Sequence, residues 1–280
     1  QREECGRVTI SPESFAFLQH FLKKRSGVVL DESKVYLVVA RLLPVVRQHS
    51  LASLDALVDR LRLTSDPSLQ RDVLNAMMTH ETSFFRDKSP FETLKQLIPE
   101  LVKKRGVMRQ LVLWSAASST GQEAYSIAIL LNEHFCDLLK AWKIRIIATD
   151  ISDVVLTRAR EGLFSELEIL RGLPTPLLRK YFTPLQGKWS ISQECRRFVE
   201  FRQLNLNDPW PVMPPCDIVF LRNVLLYFDV PTRRAILERM RKIVRPDGGL
   251  FLGGAETMLG INESYNRIAG MGCSYYRPQP

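Results

Sequence analysis

The sequence predicts an α/β protein in two parts, a small all-helical N-terminal region and a mostly parallel, helix-covered sheet that carries a small antiparallel insertion. Three patterns carry this reading. Residues 1–75 show helical periodicity only. From about residue 90, short apolar runs rich in β-branched residues alternate with helical stretches, as in parallel strands joined by crossover helices. Between 165 and 200 that rhythm breaks, with Pro174, Pro176 and a Gly187-Lys188-Trp189-Ser190-Ile191 turn-strand signal.

Ser11-Pro12 reads as a helix cap and first-turn pair, and Phe15, Leu18 and Leu22 behind it share one face. Asp31 opens a second helix, where Val35, Val38, Val39, Leu42 and Leu43 recur at helical spacing. Pro44 is expected to end or kink that helix, because it removes a backbone donor and crowds the previous turn. Leu51, Leu54, Leu57 and Leu61 make a third stripe, and Asp66-Pro67 starts a fourth helix toward Met78. Strands are expected over 111–114, 144–149, 198–201, 217–221 and 249–253, with helices over 123–135, 153–161 and 232–244. Near-continuous apolar strands belong to a sheet buried on both faces. The expected divisions are a helical domain over 1–75, a linker over 76–90 and an α/β domain over 91–280, the last holding the insertion at about 165–200.

Composition narrows the class. Of 280 residues, 45% are apolar and 25% charged, which excludes disorder, collagen and coiled coil. Five cysteines are an odd number, widely scattered and without a C-x-x-C pair. They point to reduced thiols rather than a disulfide framework or zinc site, and the four scattered histidines make no metal site either. No apolar run approaches the roughly 20 residues of a membrane span. No basic segment leads into an apolar core at the start, so a soluble cytoplasmic protein without a signal peptide is expected. The net charge of +9 is spread out: 11 basic against 9 acidic side chains over 1–79, and 28 against 21 over 80–280. It favours an acidic partner. A nucleic-acid enzyme would concentrate basic residues with stacking aromatics, and neither pattern is present.

In open α/β sheets, ligands sit at the carboxyl ends of the strands where strand order reverses. The first expected strand runs into 115–123, small residues followed by Gly121 and a helix at Glu123. Small residues let a ligand approach the backbone closely. The loop lacks G-x-G-x-x-G and GK[ST], which disfavours a dinucleotide and excludes a nucleoside-triphosphate P-loop. The second strand ends at Asp150, where a carboxylate either grips the two ribose hydroxyls of an adenosine-type ligand or caps the helix that follows. Together the loop and the acid suggest S-adenosylmethionine.

The wording of the sequence adds to the spacing. His80-Glu81-Thr82-Ser83-Phe84-Phe85-Arg86-Asp87 resembles the N-x-T-x-F-F-R-[DE] signature of the CheR family of chemotaxis receptor glutamate methyltransferases. Trp114-Ser115-Ala116-Ala117 through Thr120-Gly121-Gln122-Glu123-Ala124-Tyr125-Ser126-Ile127-Ala128 is similar to the family's W-S-A-x-x-S-T-G-x-E-x-Y-S-I-A loop. Ala148-Thr149-Asp150-Ile151-Ser152, Asn205-Leu206 and the Phe220-to-Asp229 block match in order, and Gly248 to Gly253 with Glu256 resembles the closing strand. The resemblance spans roughly 80–256. It implies a Rossmann-like S-adenosylmethionine-dependent methyltransferase domain behind a small helical domain, with an inserted β-subdomain.

By that resemblance, His80, Thr82, Arg86, Gly121, Glu123, Asp150, Asn205, Leu206, Arg222 and Asn223 contact the cofactor, whose product is S-adenosyl-L-homocysteine. Arg222 and Asn223 also follow the strand after which methyltransferases bind substrate. Arg86 and Tyr227 position the attacking carboxylate. The plainer alternatives are a surface pair of Arg86 with Asp87, a first-turn helix acid at Glu123, a turn residue at Asn205 and a half-buried core aromatic at Tyr227. His80 departs from the family's usual Asn, and Ser118 and Ala124 are small replacements in the loop. A glutamate of pKa about 4.3 is already ionised at pH 7, so the reaction needs orientation rather than a general base. The implied partners are chemoreceptor cytoplasmic domains with glutamate-rich methylation helices, met by a basic face at Lys34, Arg41 and Arg47. No nucleic acid, no membrane insertion and a monomer are expected. Some family members also bind a receptor C-terminal pentapeptide through a longer glycine-containing loop in the β-subdomain. Here 183–188 is too short for that loop, so independence of the pentapeptide is expected. The alternatives are a non-catalytic, cofactor-bound signalling module and a methyltransferase for another acidic substrate.

Overall fold

The computed structural model describes residues 9–279; Cys5, the rest of 1–8 and Pro280 lie outside the described residues. The chain divides into two units, one running up to Thr79 together with Tyr227–Asp229, the other His80–Leu226 with Val230 onward.

The first unit holds α1 (Pro12–Ser26), α2 (Val35–Gln48), α3 (Leu54–Leu63) and α4 (Pro67–Met77). Ser11 caps α1 by accepting the Ser14 N–H, and Gly27 ends it at φ 78, a conformation that favours glycine. Leu18, Leu22, Val38, Leu42, Leu57, Val58, Leu69 and Val73 form its dry centre. Asp31 caps a short 3-10 turn (Glu32–Lys34), and α2 starts only at Val35. The helix also runs through Pro44 for four more residues instead of ending there. Val45 and Val46 beyond it are buried, and that burial outweighs one missing backbone bond.

Arg41 is a further correction. Its guanidinium turns inward and donates to the carbonyls of Met77 (2.7 Å) and Met78 (3.2 Å) and to Thr79 Oγ1 (3.0 Å). These are the bare carbonyls past the end of α4, which need donors. Lys34 and Arg47 stay exposed, with Lys34 on the turn before α2, so the three cations do not form one outward face.

The second unit opens with α5 (Ser89–Lys104), β1 (Gln110–Ala116), α6 (Gln122–His134), α7 (Cys136–Ala141), β2 (Lys143–Asp150) and α8 (Asp153–Glu161). Then come β3 (Leu163–Phe164), α9 (Glu166–Leu170), α10 (Thr175–Tyr181), β4 (Phe182–Leu185), β5 (Lys188–Ile191) and α11 (Gln193–Arg196). β6 (Val199–Gln203), β7 (Cys216–Leu221), α12 (Val230–Ile243), β8 (Val244–Leu252), β9 (Tyr265–Ala269) and β10 (Ser274–Pro278) complete it.

The main sheet has the order β6-β2-β1-β7-β8-β10-β9. Its first five strands pair in parallel, and β10 pairs antiparallel with β8 and β9. From β1 the chain moves outward to β2 and β6, then returns to β7 on the other side. The order therefore reverses between β1 and β7, and a crevice is expected beyond their carboxyl ends. The antiparallel pair was not anticipated, because β9 is mostly exposed beyond the buried Tyr265 and lacks a continuous apolar run. β5 and β4, in the stretch read as an insertion, form a separate antiparallel sheet with β3, which lies just before that stretch.

Phe84 joins that small sheet to the core. It is fully buried, with ring centroids 5.0 Å from Phe164 and 5.5 Å from Phe182. Gly172 must be glycine here: a Cβ would lie 2.2 Å from the Phe84 carbonyl oxygen, and its φ is +99. Phe85 packs on Phe91 at 5.2 Å, and its N–H donates to Ser126 Oγ (2.9 Å). The two phenylalanines thus fix the segment that carries Arg86.

Candidate active site

The loop after β1 turns sharply through left-handed residues: Ala117 at φ 62, Ser119 at φ 51 and Gly121 at φ 95. A Cβ on Gly121 would press on Ala159, Phe201 and Tyr125 at 3.1–3.2 Å, so both space and φ require glycine. The Ser118 N–H donates to the Thr149 carbonyl (2.8 Å) and the Ser119 N–H to Asp150 Oδ2 (2.9 Å), which ties the loop to the end of β2. Ser119 Oγ donates to the His80 carbonyl (2.8 Å) and brings the signature segment alongside. His80, Thr82 and Arg86 are half-buried there, and Arg86 Nη1 donates to the Glu81 carbonyl (3.1 Å).

Asp150 is 6% exposed. Its other oxygen accepts the Ser152 N–H (3.0 Å), while Ser152 itself caps α8. The helix-cap alternative for Asp150 is therefore not what the chain uses. Burial raises its carboxyl pKa above the ordinary value, against the lowering pull of the backbone N–H bonds and His80. A carboxylate has about four acceptor sites. The N–H groups bound to it leave acceptor capacity for a ligand donor.

Glu123 and Arg222 form the second focus. Glu123 Oε1 accepts from Ser115 Oγ (2.7 Å) and Oε2 from Arg222 Nη1 (2.9 Å). Arg222 Nη2 donates to the Arg86 carbonyl (2.9 Å) and to Asp87 Oδ2 (2.7 Å). The Arg222 side chain is 2% exposed, with its guanidinium 5.9 Å from the centroid of Phe91. One cation therefore clamps the signature segment to the β1 loop. The surface pair of Arg86 with Asp87 does not form, because Asp87 is held by Arg222.

The remaining expected residues take no part in this clamp. Asn223, at φ 57, follows Arg222. Asn205 accepts the Asn207 N–H (3.0 Å) and donates to Asp208 Oδ2 (2.9 Å), so it builds its own turn, with Leu206 buried beside it. Tyr227 is half-buried and belongs to the helical unit, where its carbonyl accepts the Val29 N–H (2.9 Å). Asp87, Ser115 and Ser119 were not singled out from sequence. A carboxylate next to the F-F-R block was the one available signal.

The second unit fits an S-adenosylmethionine-type ligand by its own chemistry. The loop is made of small residues, Ser118 Oγ is buried with no hydrogen-bond partner, and Asp150 keeps free acceptor capacity beside it. No helix among the described residues is long and apolar enough to cross a membrane.

Comparison with known proteins agrees with this geometry. Residues 80–272 match the family description "CheR methyltransferase, SAM binding domain", and residues 13–78 match "CheR methyltransferase, all-alpha domain". The chain is 40% identical over 252 residues to "Chemotaxis protein methyltransferase Cher2" of Pseudomonas putida, covering 89% of this chain and 91% of that one. It is 40% identical over 258 residues to "Chemotaxis protein methyltransferase 1" of Pseudomonas aeruginosa, covering 91% and 93%. It is 36% identical over 266 residues to "Chemotaxis protein methyltransferase" of Vibrio parahaemolyticus, covering 93% and 95%.

Proposed function

The chain belongs to the CheR methyltransferase family, and from that premise we propose that it esterifies glutamate side chains on the cytoplasmic helices of chemoreceptors. It is an S-adenosylmethionine-dependent methyltransferase of chemotaxis. The observation that best supports the finer reading is the Arg222 clamp, which joins Glu123, Asp87 and the Arg86 backbone at one point.

In this reading Asp150 accepts the ribose hydroxyls, and Glu123 faces the amino-acid end of the cofactor. Gly121 and Ser118 lie along the cofactor, Asn205 and Leu206 flank its adenine, and His80 and Thr82 cover it. When bound, S-adenosylmethionine supplies an electrophilic methyl on a sulfonium. The substrate glutamate arrives ionised, so the protein supplies no base. Arg86 and Tyr227 orient its carboxylate, and the gain comes from holding that nucleophile in line. Removing the Tyr227 hydroxyl, by Tyr227→Phe, is expected to lower kcat about tenfold, the size of one hydrogen bond, with affinity for S-adenosylhomocysteine unchanged. Steady-state rates beside calorimetry check this, and a wild-type kcat removes the role of the hydroxyl.

Lys34 and Arg47 are the cations left to meet acidic receptor helices. The double variant Lys34→Glu, Arg47→Glu is expected to raise KM for a receptor fragment about tenfold, with kcat kept. An unchanged KM in low salt would sink that docking role.

Independence of a receptor pentapeptide rests on the β4–β5 hairpin. Its turn is two residues, Gln186 at φ 49 and Gly187 at φ 73. In such a hairpin the flanking pair, Leu185 and Lys188, bond to each other, so Phe182 and Pro184 face outward from the β4 edge. Pro184 has no N–H, and that of Phe182 is taken by the Leu178 carbonyl. An added peptide strand finds no donor on this edge. Calorimetry with a receptor C-terminal pentapeptide is expected to give no binding heat, and micromolar binding would contradict the reading.

The protein is proposed to act as a cytoplasmic monomer. The deciding experiment is transfer of labelled methyl to a chemoreceptor cytoplasmic fragment, followed by mild alkali. Label released as methanol identifies a carboxyl ester. Alkali-stable label, or no transfer across a panel of receptors, overturns the substrate assignment.

A further inference from the structure

We propose that Glu256 is a positioning residue for methyl transfer, holding the loop after β7 in the conformation that presents Asn223 to the substrate. Glu256 lies 33 residues beyond Asn223 in sequence, yet its carboxylate gathers four backbone N–H groups from two loops. Oε2 accepts from Asn223 and Gly253, each at 2.7 Å. Oε1 accepts from Val224 (2.9 Å) and Leu226 (3.3 Å). These loops leave the carboxyl ends of β7 and β8, beside the point where strand order reverses.

Four donors fill the roughly four acceptor sites of a carboxylate. Glu256 therefore has no lone pair left for substrate and acts through the backbone it holds. Asn223 sits at φ 57, a left-handed conformation that asparagine tolerates better than most side chains but that remains uncommon, so bonds to its amide help to fix it. Negative charge matters too, because hydrogen bonds to a carboxylate are about twice as strong as neutral ones. Gly253 makes room for the arrangement, since a Cβ there would lie 2.6 Å from Asn223 Nδ2 and 2.8 Å from Glu256 Oε2. A polar cavity of about 240 Å³ opens alongside, with Asp87, Gly253, Glu256 and Arg267 in its wall. Arg222 is held separately by Glu123 and Asp87, so the cofactor side of the site does not depend on Glu256.

This inference rests on the methyl-transfer reading above, and its test separates the two. Glu256→Gln keeps the size but turns an amide N–H toward backbone N–H donors. Its single-turnover transfer to a receptor fragment is expected to fall between about ten- and a hundredfold, as for a small misplacement of a reacting group. Affinity for S-adenosylhomocysteine is expected to fall far less than the rate, since Asn223 is one of several cofactor contacts and Glu123, Asp150 and Arg222 keep partners of their own. Hydrogen exchange at the amides of Asn223, Val224 and Leu226 is expected to quicken without change elsewhere in the sheet. Gly253→Ala keeps the carboxylate but displaces it, and is expected to reproduce all three results if the glutamine variant folds poorly. Wild-type transfer in both variants overturns the proposal, as does a loss of cofactor-product affinity in step with the rate, since that marks general collapse. If the wild-type protein does not esterify the fragment, the substrate reading fails, while unchanged exchange at 223–226 overturns the role of Glu256 by itself.

Discussion

Arg222→Met is expected to abolish measurable methyl transfer and to cost the largest share of stability of any single change in the site. The guanidinium is nearly inaccessible and serves Glu123, Asp87 and the Arg86 carbonyl at once. Methionine fills a similar volume but leaves the Glu123 carboxylate, 13% exposed, with Ser115 as its remaining hydrogen-bond partner. Breaking a buried pair from one side costs about 3–5 kcal/mol, because the abandoned charge stays desolvated. The same change frees the signature segment, so Arg86 loses its place relative to the β1 loop. A fall in kcat/KM of at least about a thousandfold corresponds to about 4 kcal/mol. Arg222→Lys is not expected to rescue it, since one ammonium cannot reach three partners with the spread of a guanidinium. Denaturant unfolding and single-turnover transfer read the two effects separately. A variant with wild-type stability and reduced activity would mean that Glu123 and Asp87 find other partners.

Asp150→Asn is expected to weaken S-adenosylhomocysteine binding by at least about a hundredfold, since two hydrogen bonds to a charged acceptor are each worth about 1.5–3 kcal/mol. Asparagine also turns an amide N–H toward the Ser119 or Ser152 N–H, both donors, and so unsettles the loop. The pH dependence distinguishes this from a general structural effect. Burial raises the Asp150 pKa, so the carboxyl takes up a proton at a higher pH than an ordinary aspartate. Ligand hydroxyls need the ionised form. Affinity should therefore be full above the raised pKa and fall by about tenfold per pH unit below it. Folding of the ligand-free protein runs the other way: the stability linked to this group is present at low pH and is lost as pH rises through the raised pKa. In the asparagine variant both trends vanish, and the two binding curves converge at acid pH. Calorimetry across pH checks this, and parallel curves would remove Asp150 from the ribose.

Much of the protein is legible in the chain because its signals are local. The Ser11 cap and the run of β2 are written within a few residues of where they act. So is the glycine at Gly121, where a strand meets a helix and the backbone must turn left-handed. The expected strands and helices lie close to those observed. The ordered blocks from His80 to Glu256 carried the family reading, and with it the fold class and the cofactor.

What the chain does not spell out are pairings between distant residues. Pro44 reads as a helix stop or kink, yet burial of Val45 and Val46 keeps α2 going past it. Arg41 reads as a surface cation, yet the open carbonyls after α4 capture it. Arg222 is seen to join Glu123 and Asp87, and Glu256 to collect four amides, only once the order of β1, β7 and β8 is known. Periodicity, caps and turns depend on neighbours within about one helical turn, so the sequence by itself determined the elements and their family. Which charge meets which depends on strands brought together from more than 30 residues apart, and only the tertiary structure decided that.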